Sequence, residues 1–213
     1  MINVDNPCIC DPSLPNAIFL KQTRDTLIDT EIYSRFIYSC ENNFRKSNFY
    51  RGYKDSIMRM GLNRDQHMAN ITSEMADIEL HHHFPTLKQA AIMITEHILN
   101  EKGSVDTFDV INALKEAHRN NMFAIIMMTK TRHEAYHANP SDFISLTQCI
   151  GYPFRFLDKY IDGMTLDISF KMLLQLKLEE EHNFKSYTPE MIKARKDILS
   201  WQNAYSNKPY IIQ

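Results

Sequence analysis

Five histidines in two short runs constrain this chain more than any other feature. His81, His82 and His83 are consecutive in IELHHHFPTL (78–87), and His133 and His137 stand four apart in TKTRHEAYHANP (129–140). The first run reads as a short strand ended by Pro85, because proline cannot continue a central ladder. The second reads as one or two helical turns closed at Asn139 and Pro140, since the residue before a proline is pushed out of the helical region. Residues four apart on a helix share a face, so His133 and His137 can offer two imidazoles to one ion. A third imidazole from the strand would complete a set of three protein ligands with open positions left over.

The rest of the chain sets the context. Its 213 residues, 44% hydrophobic and 23% charged, suit one medium domain with a real core, or a domain with helical extensions. A net charge of −2 and a pI near 6.5 give no global field for nucleic acid, so any such contact must be local. The best local candidate is NFRKSNFYRGYKDSIMRMGLNR (43–64), where Arg45, Lys46, Arg51 and Lys54 alternate with aromatic residues. Lys130 and Arg132, beside the histidine helix, are further candidates for phosphate contact. The plainer alternative for all six is a solvated face. Cys8, Cys10, Cys40 and Cys149 are too few and scattered for a disulfide scaffold, and the Cys8–Cys10 pair lacks a second pair at zinc-ribbon spacing. Neither a signal peptide nor a membrane span is expected, which makes the cytoplasm the default compartment.

Periodicity predicts an α+β, mainly helical protein. Ile28, Ile32, Phe36 and Ile37, then Tyr50, Tyr53, Ile57 and Met58, follow helical spacing, with Gly61 as a stop. Two helices follow the histidine strand, separated near Gly103 and Ser104, with Thr86 and Ser104 or Asp106 as caps. Met122 to Thr129 reads as a buried strand, DFISLTQCIG as another, PFRFLDKYIDGM as a helix, and the segment from 166 as amphipathic helices. The expected division is a helical N-terminal extension (1–75), a core (76–165) carrying a helical insertion (87–118), and a helical C-terminal extension (166–213).

Two motif readings compete. His133-Glu134-x-x-His137 matches the zinc-protease string H-E-x-x-H, in which Glu134 would activate water and a downstream carboxylate from Glu179, Glu180 or Glu181 would be the third ligand. That leaves the triple histidine without a role, and the helix is short. Taken together, IELHHHFPTL and NNMFAIIMMTKTRHEAYHANPSDFISLTQCIGYPFRFLDKYIDGM resemble the HNH endonuclease superfamily, in particular its phage-encoded members, over about residues 40–165. The resemblance implies a ββα-metal (HNH) finger built from 77–84, 122–129 and 131–138. It implies His81, His133 and His137 as metal ligands, His82 as general base, and Asn121 as the residue that orients the base; a register shifted to His82 and His83 stays open. The long helical segment between the strands and the distance of Asn121 from His133 depart from the usual pattern.

The activity so implied is metal-dependent hydrolysis of DNA phosphodiesters. A neutral imidazole takes a proton from water, and a divalent ion, Zn, Mn, Ni or Mg, stabilises the leaving oxygen. Such a protein would act in the host cytoplasm on DNA, with a phage or host protein as a possible partner and no membrane. The rival from another class is a non-enzymatic nucleic-acid- or protein-binding module with a structural metal finger.

Overall fold

A computed structural model of the chain describes residues 16–138, 143–182 and 184–206. Cys8 and Cys10 lie outside the described residues. The expected class holds: eight helices and two small antiparallel sheets are described, and helix dominates.

Local sequence explains most boundaries. Helix α1 (Thr30–Lys46) starts where the Asp29 carboxylate accepts the backbone N–H groups of Glu31 and Ile32. Ser47 separates it from α2 (Asn48–Ile57) and caps the second helix by accepting from the Tyr50 N–H. A wider turn at 58–62 ends that helix at Gly61, whose φ of 91° suits glycine. Helix α3 (Leu87–Lys102) opens on a reciprocal capping box between Thr86 and Gln89 and closes on Gly103 in the left-handed conformation. The same box between Asp106 and Asp109 starts α4 (Thr107–Arg119). Ser104 is not a cap; it lies in β3 (Ser104–Val105), which pairs with β1 (Gln22–Thr23).

The ribbon that carries the site is β2 (Ile78–Phe84) antiparallel to β4 (Ala124–Thr129), with His81 opposite Ile126, His82 opposite Ile125, and a bulge at His83. Helix α5 (Lys130–Ala138) follows β4 directly. Along both strands successive side chains alternate between two different packings. Ile78, Leu80, Phe84, Ile125 and Met127 join the main core with α1, α3 and α4. Ile126 and Met128 join a small second cluster with Ile144, against which Tyr136 of α5 packs. The ribbon is therefore buried on both faces, which is why MFAIIMM reads as a continuous apolar run.

A third segment runs along β4. The Gln66 backbone N–H donates to the Met127 carbonyl, and the Met127 N–H donates to Gln66 Oε1. Buried Asp65 accepts from the Thr129, His67 and Met68 N–H groups. Desolvation opposes its charge, but these three hydrogen bonds outweigh it and hold the carboxyl below its ordinary pKa.

The expected strand in DFISLTQCIG does not form over its described residues, 143–151. Residues 146–148 make a 3₁₀ turn, and only Ile150 bridges to the ribbon, at Ile125. The cause is local polar chemistry. Ser145 and Gln148 form a capping box, while buried Glu179 of α7 (Leu166–His182) accepts from the Ser145 hydroxyl and the Leu146 N–H. A carboxylate that takes two donors from one turn fixes that turn against alternation. Helix α6 (Pro153–Tyr160) and the C-terminal pair α7 and α8 (Pro189–Ser206) complete the fold. No described helix is long and apolar enough to cross a membrane.

Candidate metal centre

Alternation along β2 decides what the three consecutive histidines can do. His82 points into the main core. Its Nε2 lies 2.8 Å from His118 Nε2, among Phe123, Tyr50 and Phe44. His81 and His83 point the other way, toward α5, with Tyr136 ring-to-ring at 5.1 Å and 6.1 Å respectively. An adjacent pair on a strand cannot face one point, so neither His81 with His82 nor His82 with His83 forms a joint site.

On that outer face His81 meets both helix histidines. Ring centroids are 4.8 Å apart for His81 and His133, 5.3 Å for His81 and His137, and 4.7 Å for His133 and His137. One ligand nitrogen from each of the three lies within 4.8 Å of the others, and this is the one group of three or more potential ligands found among the described residues. The expected trio is thus brought together. Glu79, two residues before His81 and so on the same face of β2, accepts a 2.6 Å hydrogen bond from His133 Nδ1–H. This contact turns His133 Nε2 toward the other histidines, 3.0 Å from His137 Nε2. His81 Nε2 is buried without a protein partner. Glu79 was not among the sequence candidates, although the two-residue period of a strand places it on the face of His81.

Burial favours the neutral form of His81, His82, His83 and His137. Burial pushes His81 down to about 3, helped by the neighbouring His133, His83 and His137 and by Arg45. Burial likewise pushes His83 down to about 4, and burial followed by His133 lowers His137. His82 is pushed well down, by burial first and then by His118. Neutral imidazoles are the form that ligates metal.

His81, His83 and His137 also line a cleft of about 760 Å³ between α3, α5 and α7. Lys88, Lys171 and His182 line its walls, and Asp167, its one carboxylate among the described residues, is paired with Lys171 at 2.7 Å.

The other sequence candidates are dispersed. Asn121 has φ 51°, and its carbonyl accepts the Tyr152 N–H at 2.6 Å, so it is a turn residue beyond α4. Arg45 pairs with Glu41, and Arg51 donates to Asn48. Lys46 is exposed on the last turn of α1. Lys54 and Lys130 share a shallow hollow with Asp77 and Glu79, whose charges offset theirs. The Arg132 N–H donates to Thr129, and its charge lies near Asp65 and His67. The protease arrangement is not assembled either. The Glu134 side chain is 67% exposed and lies 3.9 Å from Lys130, Glu179 is buried in the 145–146 turn, and Glu180 and Glu181 pair with Arg195 and Lys177.

The profile of the bacteriophage G278-like virion protein family matches residues 17–204. No curated protein and no solved structure matches the chain. This corrects the reading drawn from the histidine spacing: the HNH resemblance does not identify the family, and the nuclease activity falls with it. The roles of His82 as base and Asn121 as its orienter came only with that activity. What stands of the reading is that this is a phage protein.

Proposed function

Because the chain belongs to the family of bacteriophage G278-like virion proteins, we propose that it is a structural, non-enzymatic component of the phage particle. The family match over residues 17–204 carries this reading. The surface is compatible with it. On α7, Leu166, Phe170 and Leu174 follow one another at four-residue spacing and are 38%, 62% and 57% exposed. A stripe of this kind suits contact with another particle subunit. Within the chain we read β2, β4 and α5 as a ββα-metal unit whose task is to hold structure.

The test is direct. Particles purified by density gradient and analysed by quantitative mass spectrometry should contain this chain at a fixed copy number per particle. Recovery from infected cells but not from washed particles would overturn the proposal.

A further inference from the structure

We propose that His81, His133 and His137 bind one divalent ion of the zinc class through their Nε2 atoms, that Glu79 positions His133 for it, and that the remaining coordination position opens on the α3–α5–α7 cleft. This rests on the ββα-metal reading and is independent of where the chain sits in the particle.

Three features of the cluster point to a ligand. His81 Nε2 is a buried polar atom without a protein partner, in a residue only 4% exposed. Burying such an atom unpaired is unfavourable, a cost that an ion would remove. The two Nε2 atoms of His133 and His137 face each other at 3.0 Å. Tetrahedral zinc with nitrogen ligands at about 2.0–2.1 Å places neighbouring nitrogens roughly 3.3 Å apart, close to the spacing of this pair. The third feature is the Glu79 carboxylate on His133 Nδ1, the arrangement that fixes a ligating histidine's tautomer and raises its basicity.

The donor set selects the ion. Three imidazoles favour zinc, nickel, cobalt or copper over magnesium or calcium, which take oxygen. Each ligand comes from a different place in the fold or a different helical turn, so the ion would tie α5 to β2. His81 and His137 both line the cleft, so the free position faces it. With Lys88 on the wall, and Lys171 already held by Asp167, that position suits water or an anionic oxygen donor.

The test uses the full chain, stripped with chelator and checked for fold by circular dichroism. Titration with Co²⁺ should give the visible absorption of a tetrahedral site at one ion per chain, displaced by Zn²⁺. His133→Ala should abolish that signal. Glu79→Gln should weaken binding about 10–100-fold while keeping the stoichiometry. Glu134→Gln, on the same helix but exposed, should bind as the unaltered chain does. A folded chain that gives no cobalt spectrum and retains no zinc overturns the site. So does binding unchanged in His133→Ala, which would place the ion elsewhere. An unchanged affinity in Glu79→Gln overturns the positioning role. If the chain fails to bind metal but is still found in purified particles, the loss falls on the metal site alone and not on the particle assignment.

Discussion

His82 and His118 meet Nε2 to Nε2 at 2.8 Å inside the main core. His118 Nδ1–H donates to the Leu114 carbonyl, so its Nε2 is an acceptor and His82 must donate with its own Nε2. The pair therefore has one proton arrangement, both rings neutral. Replacing His82 by Ala removes a packed ring and leaves His118 without its donor. The expected loss is about 2–4 kcal/mol, read as a lower denaturant midpoint. An unchanged midpoint would mean that the pair contributes nothing to the core.

The same pair makes stability depend on pH. Burial pushes His118 down to about 4, while the unfolded histidine titrates near its ordinary 6.5. Between these values the unfolded chain binds a proton that the folded chain refuses, so stability falls as pH drops from about 6.5 toward 4. One such group contributes a slope of about 1.4 kcal/mol per pH unit. In His118→Gln, which keeps an acceptor for His82, the slope between pH 6.5 and 5 should be shallower by about that amount. Equal slopes in denaturation series of the two proteins would refute the assignment.

Glu179 is a fully buried carboxylate that takes donors from Ser145, Leu146 and Gln175. Glu179→Ala would strand these groups without acceptors, at a cost of roughly 3 kcal/mol. The loss should be concentrated in the 143–150 segment. Limited proteolysis followed by mass spectrometry should show new cleavage there, and a digestion pattern identical to the unaltered chain would count against it.

Gly163 lies where the turn after α6 crosses α3. A Cβ there would sit 2.0 Å from the Met93 carbonyl oxygen and 2.7 Å from the His97 nitrogen, both backbone atoms that cannot step aside. Gly163→Ala should destabilise by at least about 2 kcal/mol. For a chain of this size that lowers the melting temperature by roughly 4–8 °C, a shift calorimetry resolves. A melting temperature within a degree of the unaltered chain would show that the turn yields.

Much of this fold was legible in the sequence. The strand ended by Pro85, the caps at Thr86 and Asp106, the stop at Gly61 and the His133–His137 face all form as their local chemistry dictates. DFISLTQCIG failed because its alternation competed with a carboxylate 33 residues away in sequence, on α7. The histidines misled in a different way. Their spacing reported where imidazoles could converge, and His81, His133 and His137 do converge. Spacing does not encode what is done with them, and reading His81 and His82 as partners ignored the two-residue period that sends one outward and the other into the core. Glu79 lay in plain view on that same period.

The two ribbon strands are neighbours in space, yet α3, β3 and α4 lie between them in the chain. During synthesis, the first strand leaves the ribosome with its partner still unmade. Loop closure across both helices must come before the ladder can form, which makes this ribbon a late and slow event in folding. A nascent chain halted before residue 124 would present His81 and His83 on an unpaired edge open to other strands. Premature termination in this region should thus yield sticky fragments rather than inert ones.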